Sequence, residues 1–169
     1  MLTFPVGTGR FNLRTAGVWV DDGHVLLQGD TREDFWALPG GRVEHMEPAE
    51  DALRRELCEE LALGDETRIG RLLWVMQNFY SAPEWGGDCH ELGLYFLVTP
   101  GSIDAMRLKD KSRAHPCAEP DSTLRFRWFR LADLPAIRPI HPTCLNSALL
   151  SLPTTPTLIT HVDRRAAAG

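Results

Sequence analysis

The chain has 169 residues, 43% of them hydrophobic and 24% charged, with a formal net charge of −5. This is the balance of an ordinary soluble globular protein, and the length favours one domain, residues 1–169, with a core of its own. A negative net charge argues against a sequence-independent grip on DNA or RNA, which clustered Lys and Arg would supply, so no nucleic acid is expected as a partner; a phosphate substrate arriving with a metal ion is not excluded.

Residues 1–11 read as an irregular N-terminal segment, with no apolar run of signal-peptide length. Residues 14–20 (RTAGVWV) and 24–28 read as two strands joined by a tight turn at Asp21-Asp22-Gly23, because Asp-Gly is a hairpin signal. Residues 28–33 are polar and loop-like. Residues 35–38 (FWAL) form a short apolar strand that Pro39, Gly40 and Gly41 terminate, and the glycines let the backbone approach a bound ion or phosphate closely. A helix is predicted next. Pro48 suits its first position, and Ala49, Ala52, Leu53, Leu57 and Leu61 form an apolar stripe.

Beside that stripe stand Glu56, Glu59 and Glu60. With about 3.6 residues per turn, Glu56 and Glu60 lie one above the other and Glu59 beside them. Like charges at that spacing cost a helix a few tenths of a kcal/mol per pair, on the order of 0.2–0.5, so a cation is expected among them. Oxygen-only donors with no Cys or His partner suit a hard ion, Mg²⁺ or Mn²⁺, better than zinc. An ordinary solvated helix face is the bland alternative for the triplet taken alone.

Downstream, residues 68–81 and 90–99 read as antiparallel strands about a turn-rich tip, APEWGGDC. Residues 101–122 are polar, contain Pro116 and Pro120, and form the longest candidate loop. Residues 123–131 (TLRFRWFRL) alternate as a strand with Leu124, Phe126 and Trp128 inward. Residues 142–152 read as a second helix, residues 157–165 as a terminal strand, and residues 166–169 as a frayed end. Cys58, Cys89, Cys117 and Cys144 are spread with no CxxC pair, which suggests reduced structural thiols rather than a zinc site or disulfides. No run approaches the ~18 apolar residues of a membrane span, so no membrane contact and a cytoplasmic location are expected.

The stretch from Gly41 to Leu63 resembles the signature of the Nudix hydrolase family. Gly41, Glu47, Arg55, Glu56, Leu57, Glu59, Glu60 and Leu63 fall on that signature in one register, and Ala62 departs from it, standing where the family has a helix-ending glycine. Gly64, two residues on, is the candidate for a left-handed cap instead. The match covers 23 of 169 residues. The resemblance implies an α/β/α sandwich with a mixed β-sheet flanked by helices. It implies Glu56, Glu59 and Glu60 as Mg²⁺ ligands, with Mn²⁺ a substitute, the Gly40 carbonyl as a further ligand, one glutamate of the group as general base, and a structural salt bridge between Glu47 and Arg55.

Outside the motif, Glu91 is the preferred further catalytic carboxylate, with Glu84, Asp88 and Glu119 as competitors. Trp85, in a glycine-flanked loop, is the preferred base-stacking residue, ahead of Phe79, Tyr80 and Trp36, of which Trp36 is expected in the core. Arg14 is a candidate for meeting a phosphate or ribose, Arg125, Arg127 and Arg130 read as a basic strand edge, and His141 as structural. The expected activity is Mg²⁺-dependent cleavage of the pyrophosphate bond of a nucleoside diphosphate derivative, the substrate being a nucleotide-type small molecule. A nucleotide-sensing module without turnover and a diphosphate isomerase are the alternatives. Loops 81–90 and 101–122 are expected to choose the substrate, and the resemblance includes paired subunits, so a homodimer stays open.

Overall fold

Residues 68–82 and 87–99 are rich in aromatic and branched residues, and these segments form the two longest strands of a computed structural model that describes residues 1–83, 87–137 and 140–163. In chain order the strands are β1 (Thr3–Val6), β2 (Gly9–Val18), β3 (Val20–Asp21), β4 (His24–Asp30), β5 (Trp36–Ala37), β6 (Arg68–Ala82), β7 (Gly87–Thr99), β8 (His115–Pro116), β9 (Leu124–Arg130), β10 (Ile140–His141) and β11 (Thr157–Asp163). The helices are α1 (Ala49–Leu61), α2 (Ser102–Arg107) and the short α3 (Leu145–Ala148). One sheet runs β1-β2-β7-β6-β11 and the other β10-β5-β4-β9-β8, with β3 paired to β4. The first is mixed: β2 is parallel to β7 and β11 to β6, while β6 and β7 are antiparallel.

This is an α/β fold of mixed sheets with flanking helices, and each face of the first sheet has its own core. On one face Leu53, Leu57 and Leu61 of α1 pack with Phe96, Val98, Leu26, Phe126 and Trp128. On the other, Ala16, Val18, Trp74, Met76 and Tyr95 meet Val25, Leu27, Trp36, Leu134, Leu145 and Leu149. Trp36 is thus a core residue. No helix among the described residues is long and apolar enough to cross a membrane.

Several sequence expectations change. The N-terminus is not irregular: Thr3–Val6 folds back on β2 through Gly7, whose φ of 58° supplies the left-handed turn. The expected hairpin between residues 14–20 and 24–28 closes only the two-residue β3 onto β4. The chain changes sheet at Trp19, whose carbonyl accepts from Leu26 N at 3.1 Å, and β2 instead lies parallel to β7. The continuous buried run from Thr15 to Trp19 is that of a strand covered on both faces, not of a half-exposed hairpin arm. The helix expected over residues 142–152 is reduced to Leu145–Ala148, because Asn146 Oδ1 accepts from Ile140 N at 3.0 Å and Asn146 Nδ2 donates to Leu134 O at 2.7 Å, anchoring the segment locally. The terminal strand is described over Thr157–Asp163; residues 164–169, with the end of the expected strand and the expected frayed end, lie outside the described residues.

The end of α1 also differs from expectation. Ala62 itself takes the left-handed conformation (φ 50°, ψ 40°), and its N–H bonds Cys58 O at 2.9 Å while Leu63 N bonds Leu57 O at 3.3 Å. Gly64 does not supply the cap; its N–H donates to Asp104 Oδ2 at 2.8 Å. Asp104 belongs to α2, inside the stretch expected to be a plain loop, and Arg107 Nη2 reaches the orphaned carbonyls Leu61 O (2.5 Å) and Ala62 O (3.2 Å). α2 therefore closes the helix where the side chain at position 62 does not favour the turn. A non-glycine residue in this conformation costs about 1–2 kcal/mol, partly offset by the chain entropy a glycine loses on folding. Ala62→Gly is accordingly expected to raise Tm by about 1–4 °C in thermal denaturation; a lowered Tm would show that α2 already relieves the strain.

Candidate active site

Between β5 and α1, residues 39–43 run alongside β2 as an extra edge. Gly17 N donates to Pro39 O (2.8 Å), Thr15 N to Gly41 O (2.9 Å) and Val43 N to Leu13 O (3.1 Å). Two glycines are needed for that approach. Gly40 has φ 139°, and a Cβ there would strike Thr15 O and Ala16 Cα; a Cβ on Gly41 would strike the Glu56 carboxylate. The glycine turn thus presses its backbone against the first acid of α1.

Arg55 joins loop and helix. Its Nε and Nη2 donate to Glu47 Oε1 and Oε2 at 2.9 and 3.0 Å, a bidentate fork, and Nη2 also reaches Arg42 O at 3.2 Å. Its Nη1 donates to Glu56 Oε1 at 2.9 Å and Glu59 Oε2 at 3.3 Å. The fork holds Glu47 below the usual carboxylate range and pushes Arg55 up. One guanidinium therefore offsets the repulsion between the first two acids of the triplet.

Glu60 is placed differently. It is only 7% exposed, and its Oε2 is buried without a hydrogen-bond partner. Burial pushes its carboxyl up to about 8, helped by Glu56, Glu119 and Glu59 and opposed by Arg14. Arg14 Nη2 donates to Gly40 O at 2.9 Å and Leu38 O at 3.3 Å, so this side chain steadies the glycine turn. The same cation opposes the burial that raises Glu91, which stands on β7 between Asn12 of β2 and Asn78 of β6; Arg42 opposes it too, and Asp163 adds to it.

The structure brings Glu47, Arg55, Glu56 and Glu59 into one hydrogen-bonded group and sets Glu60 within their field, while the Arg14 charge acts on both Glu60 and Glu91. Among the described residues no group of three or more Asp, Glu, His or Cys side chains is already arranged to hold a metal ion. Of the competing acids, Asp88 lies at the far end of the sheet beside Gly9. Glu119 comes to the helix: Ala118 N donates to Glu60 O at 2.7 Å, and the Glu119 charge raises Glu60. Its only sequence signal was an acid bracketed by Pro116 and Pro120 in a long polar stretch. Trp85 and Glu84 lie outside the described residues. Phe79 stacks on His90 at 4.4 Å and Tyr80 is paired with Asn12 at 3.4 Å. Arg125 and Arg127 lie over the rings of Trp36 and Phe129, at 5.2 and 5.7 Å.

Sequence reasoning missed one cluster. Asp163, at the end of β11, accepts from Thr143 N at 3.2 Å and from the Thr143 hydroxyl, and pairs with His161 at 2.9 Å and His141 at 3.4 Å. Burial alone would raise Asp163, but hydrogen bonds from His141, Thr143 and His161 outweigh it and hold the carboxyl well below its ordinary range. The His141 ring in turn meets Phe35 edge-on at 4.9 Å.

Comparison with solved structures finds the same architecture. The chain is 28% identical to a MutT NUDIX hydrolase from Burkholderia pseudomallei, with a TM-score of 0.55 over 80% of this chain and 95% of that one. It is 24% identical to the E. coli ORF135 protein, with a TM-score of 0.51 over 87% and 94%. A MutT protein from Bacillus halodurans shares 16% identity with a TM-score of 0.56 over 89% of each chain. The comparison with curated proteins gives no match. The NUDIX domain model matches residues 12–146, most of the chain and the whole of the glycine turn, α1 and the strands that hold them, and the chain belongs to the NUDIX domain family of hydrolytic enzymes.

Proposed function

We propose that the chain is an Mg²⁺-dependent pyrophosphohydrolase that cleaves a nucleoside diphosphate derivative and releases a phosphorylated nucleoside. The observation that carries this reading is Glu60 Oε2, a buried oxygen with no partner beside two further carboxylates. An orphaned buried acceptor costs on the order of 1–3 kcal/mol, and an all-oxygen donor set fits a hard divalent cation. Glu56, Glu59 and Glu60, with the Gly40 carbonyl, would hold Mg²⁺ or, in its place, Mn²⁺. Bound there, the ion supplies charge neutralisation for the diphosphate and a water acidic enough to yield hydroxide near neutral pH.

The chain's own residues do the remaining work in this reading. Arg55 pairs with the Glu56 and Glu59 carboxylates and fixes the loop through Glu47. Arg14 holds the Gly40 carbonyl in place and leaves a positive charge facing the substrate phosphates. Glu91 is proposed to accept a proton or bind the ion system from the sheet; the contact between residue 118 and Glu60 favours Glu119 as a second candidate for that role. Trp85 is proposed as the base-stacking residue on its sequence alone. The substrate is a small nucleotide rather than a nucleic acid, and the location cytoplasmic.

A product-resolved panel of nucleoside triphosphates, nucleotide sugars, ADP-ribose and dinucleoside polyphosphates, run with and without Mg²⁺, tests the reading. Metal-dependent turnover is expected, with Glu60→Gln lowering kcat about a hundredfold or more; undiminished turnover in that variant would refute the metal assignment. Glu91→Gln and Glu119→Gln compared side by side assign the further carboxylate, since the one that carries the role should lose about a hundredfold and the other little. Tight binding without cleavage across the panel would favour the sensing module.

Stability gives an independent check. In metal-free protein Glu60 titrates near 8 folded against an ordinary 4.5, so the folded state binds more protons in between. Stability is then fullest below about pH 4.5 and is lost as pH rises toward 8. With chelator present, the wild type is expected to lose on the order of 2–4 kcal/mol more than Glu60→Gln between pH 5 and pH 8, and Mg²⁺ should restore the wild type at pH 8. Parallel pH curves for the two proteins would show that Glu60 is not the buried acid.

A further inference from the structure

Toward one end of its strands the inner face of the first sheet stops being apolar. One row carries Asn12, Glu91, Asn78 and His161 across β2, β7, β6 and β11, and the next carries Arg10, Cys89, Tyr80 and Asp163. Two tyrosines converge there on Glu91. Tyr80 starts on β6 opposite Cys89, yet its hydroxyl accepts from Asn12 Nδ2 on β2 at 3.4 Å. β7 is the strand between them, so the Tyr80 ring crosses over Cys89, which is buried, and ends beside Glu91, the residue in register with Asn12. On the other side Tyr95 leans back along β7. A Cβ on Gly93 would meet Tyr95 Cε2 at 2.6 Å and the Tyr95 hydroxyl oxygen at 3.1 Å, so the ring lies over Gly93 and its hydroxyl is directed toward Glu91, the next residue on that face. Same-face residues of a strand stand ~6.8 Å apart, a gap that a phenol and a glutamate side chain close together.

We propose that Tyr80 and Tyr95 are positioning residues, which confine the Glu91 carboxyl between two hydroxyls within the field of Arg14. The proposal rests on the reading that Glu91 serves the hydrolysis. Other neighbours are committed elsewhere. Arg14 donates to the carbonyls of Gly40 and Leu38. Asn12 Oδ1 accepts from the Thr3 hydroxyl at 2.5 Å, to which Arg10 Nη1 donates at 3.1 Å, so the edge strand β1 fixes Asn12 against Tyr80. Burial raises both phenols above their ordinary range, with the Glu91 charge adding to it, and they stay neutral O–H donors at any working pH. A neutral donor holds a carboxylate without cancelling its charge, whereas an arginine fork such as that on Glu47 ties the charge up. A carboxylate held in this way can still take a proton. The arrangement also accounts for Gly93, since any side chain there would displace the Tyr95 ring.

Steady-state kinetics with Mg²⁺ and the panel nucleotide that the wild type cleaves fastest is the experiment. Tyr80→Phe and Tyr95→Phe each remove one hydroxyl and keep the ring. Each should lower kcat about tenfold with KM within about twofold, because the hydroxyls aim a reacting group and do not bind substrate. In a Glu91→Gln background neither change should cost anything further, since the carboxyl that they position is gone; a purely structural role would give the same loss in both backgrounds. Thr3→Val, on the edge strand, should lower kcat about threefold by releasing Asn12, and it decides the matter should a tyrosine variant fail to fold: wild-type kcat there would overturn the proposal. A folded Tyr80→Phe or Tyr95→Phe enzyme with wild-type kcat, or a loss that persists undiminished beside Glu91→Gln, would overturn it and leave the hydrolase reading standing. Wild-type turnover in Glu91→Gln alone would do the same and pass the role to Glu119. A wild type that cleaves no nucleotide of the panel would overturn both readings.

Discussion

A single guanidinium carries the site. Arg55 forms a fork with Glu47 and at the same time donates to Glu56 and Glu59, so one side chain sets the distance between a loop that presses on the sheet and a helix whose acids would otherwise repel one another. Because guanidinium is planar and always charged, it holds the loop, the helix and the acids as one unit wherever the glutamates are ionised. The backbone meets this unit with no slack, since neither Gly40 nor Gly41 has room for a methyl group. Arg14 does the same on the sheet side, holding the Leu38 and Gly40 carbonyls while its charge acts on both Glu60 and Glu91. The acids are thus divided: two neutralised by an arginine, and two made hard to ionise by burial.

That division was only half legible in the sequence. The motif placed Glu47, Arg55, Glu56, Glu59 and Glu60 correctly on one turn and helix because helical periodicity is local and the spacing carries the geometry. It did not show that Glu60 would be buried and Glu59 exposed, which depends on the 117–120 segment crossing the helix from sixty residues away. The same holds for the fold. Strands were readable from aromatic and branched content at β6 and β7 and from alternation at β9, but the neighbours of β2 were not, so β2 was read as a hairpin arm when it is the inner parallel neighbour of β7. β1 escaped because Thr3–Val6 contains a proline and is exposed on most of its length, leaving no apolar alternation to read. The Asp163 cluster was invisible because its members are assembled from β10, the turn before α3 and β11.

The first sheet is used on both faces and at both ends. One face is closed by the second sheet, the other by α1 over half its length. A sheet covered on both faces is normally apolar on both, and this one keeps that character past the end of its helix, where the row from Phe4 to Val162 crosses every strand. The chemistry and the uncovered surface therefore share one scaffold but stand at different places along the same strands.

The segment after β7 has an evolutionary corollary. Asp104 and Arg107 of α2 close the C-terminal end of α1, Ala118 holds the Glu60 carbonyl, and Glu119 adds its charge to Glu60, all within a stretch of fewer than twenty residues. Loops of this kind usually drift freely and are exchanged to change what an enzyme accepts. Here such an exchange would also remove the clasp that ends the acidic helix. A graft of the whole segment from a relative would have to replace those contacts, for instance by bringing its own glycine at position 62.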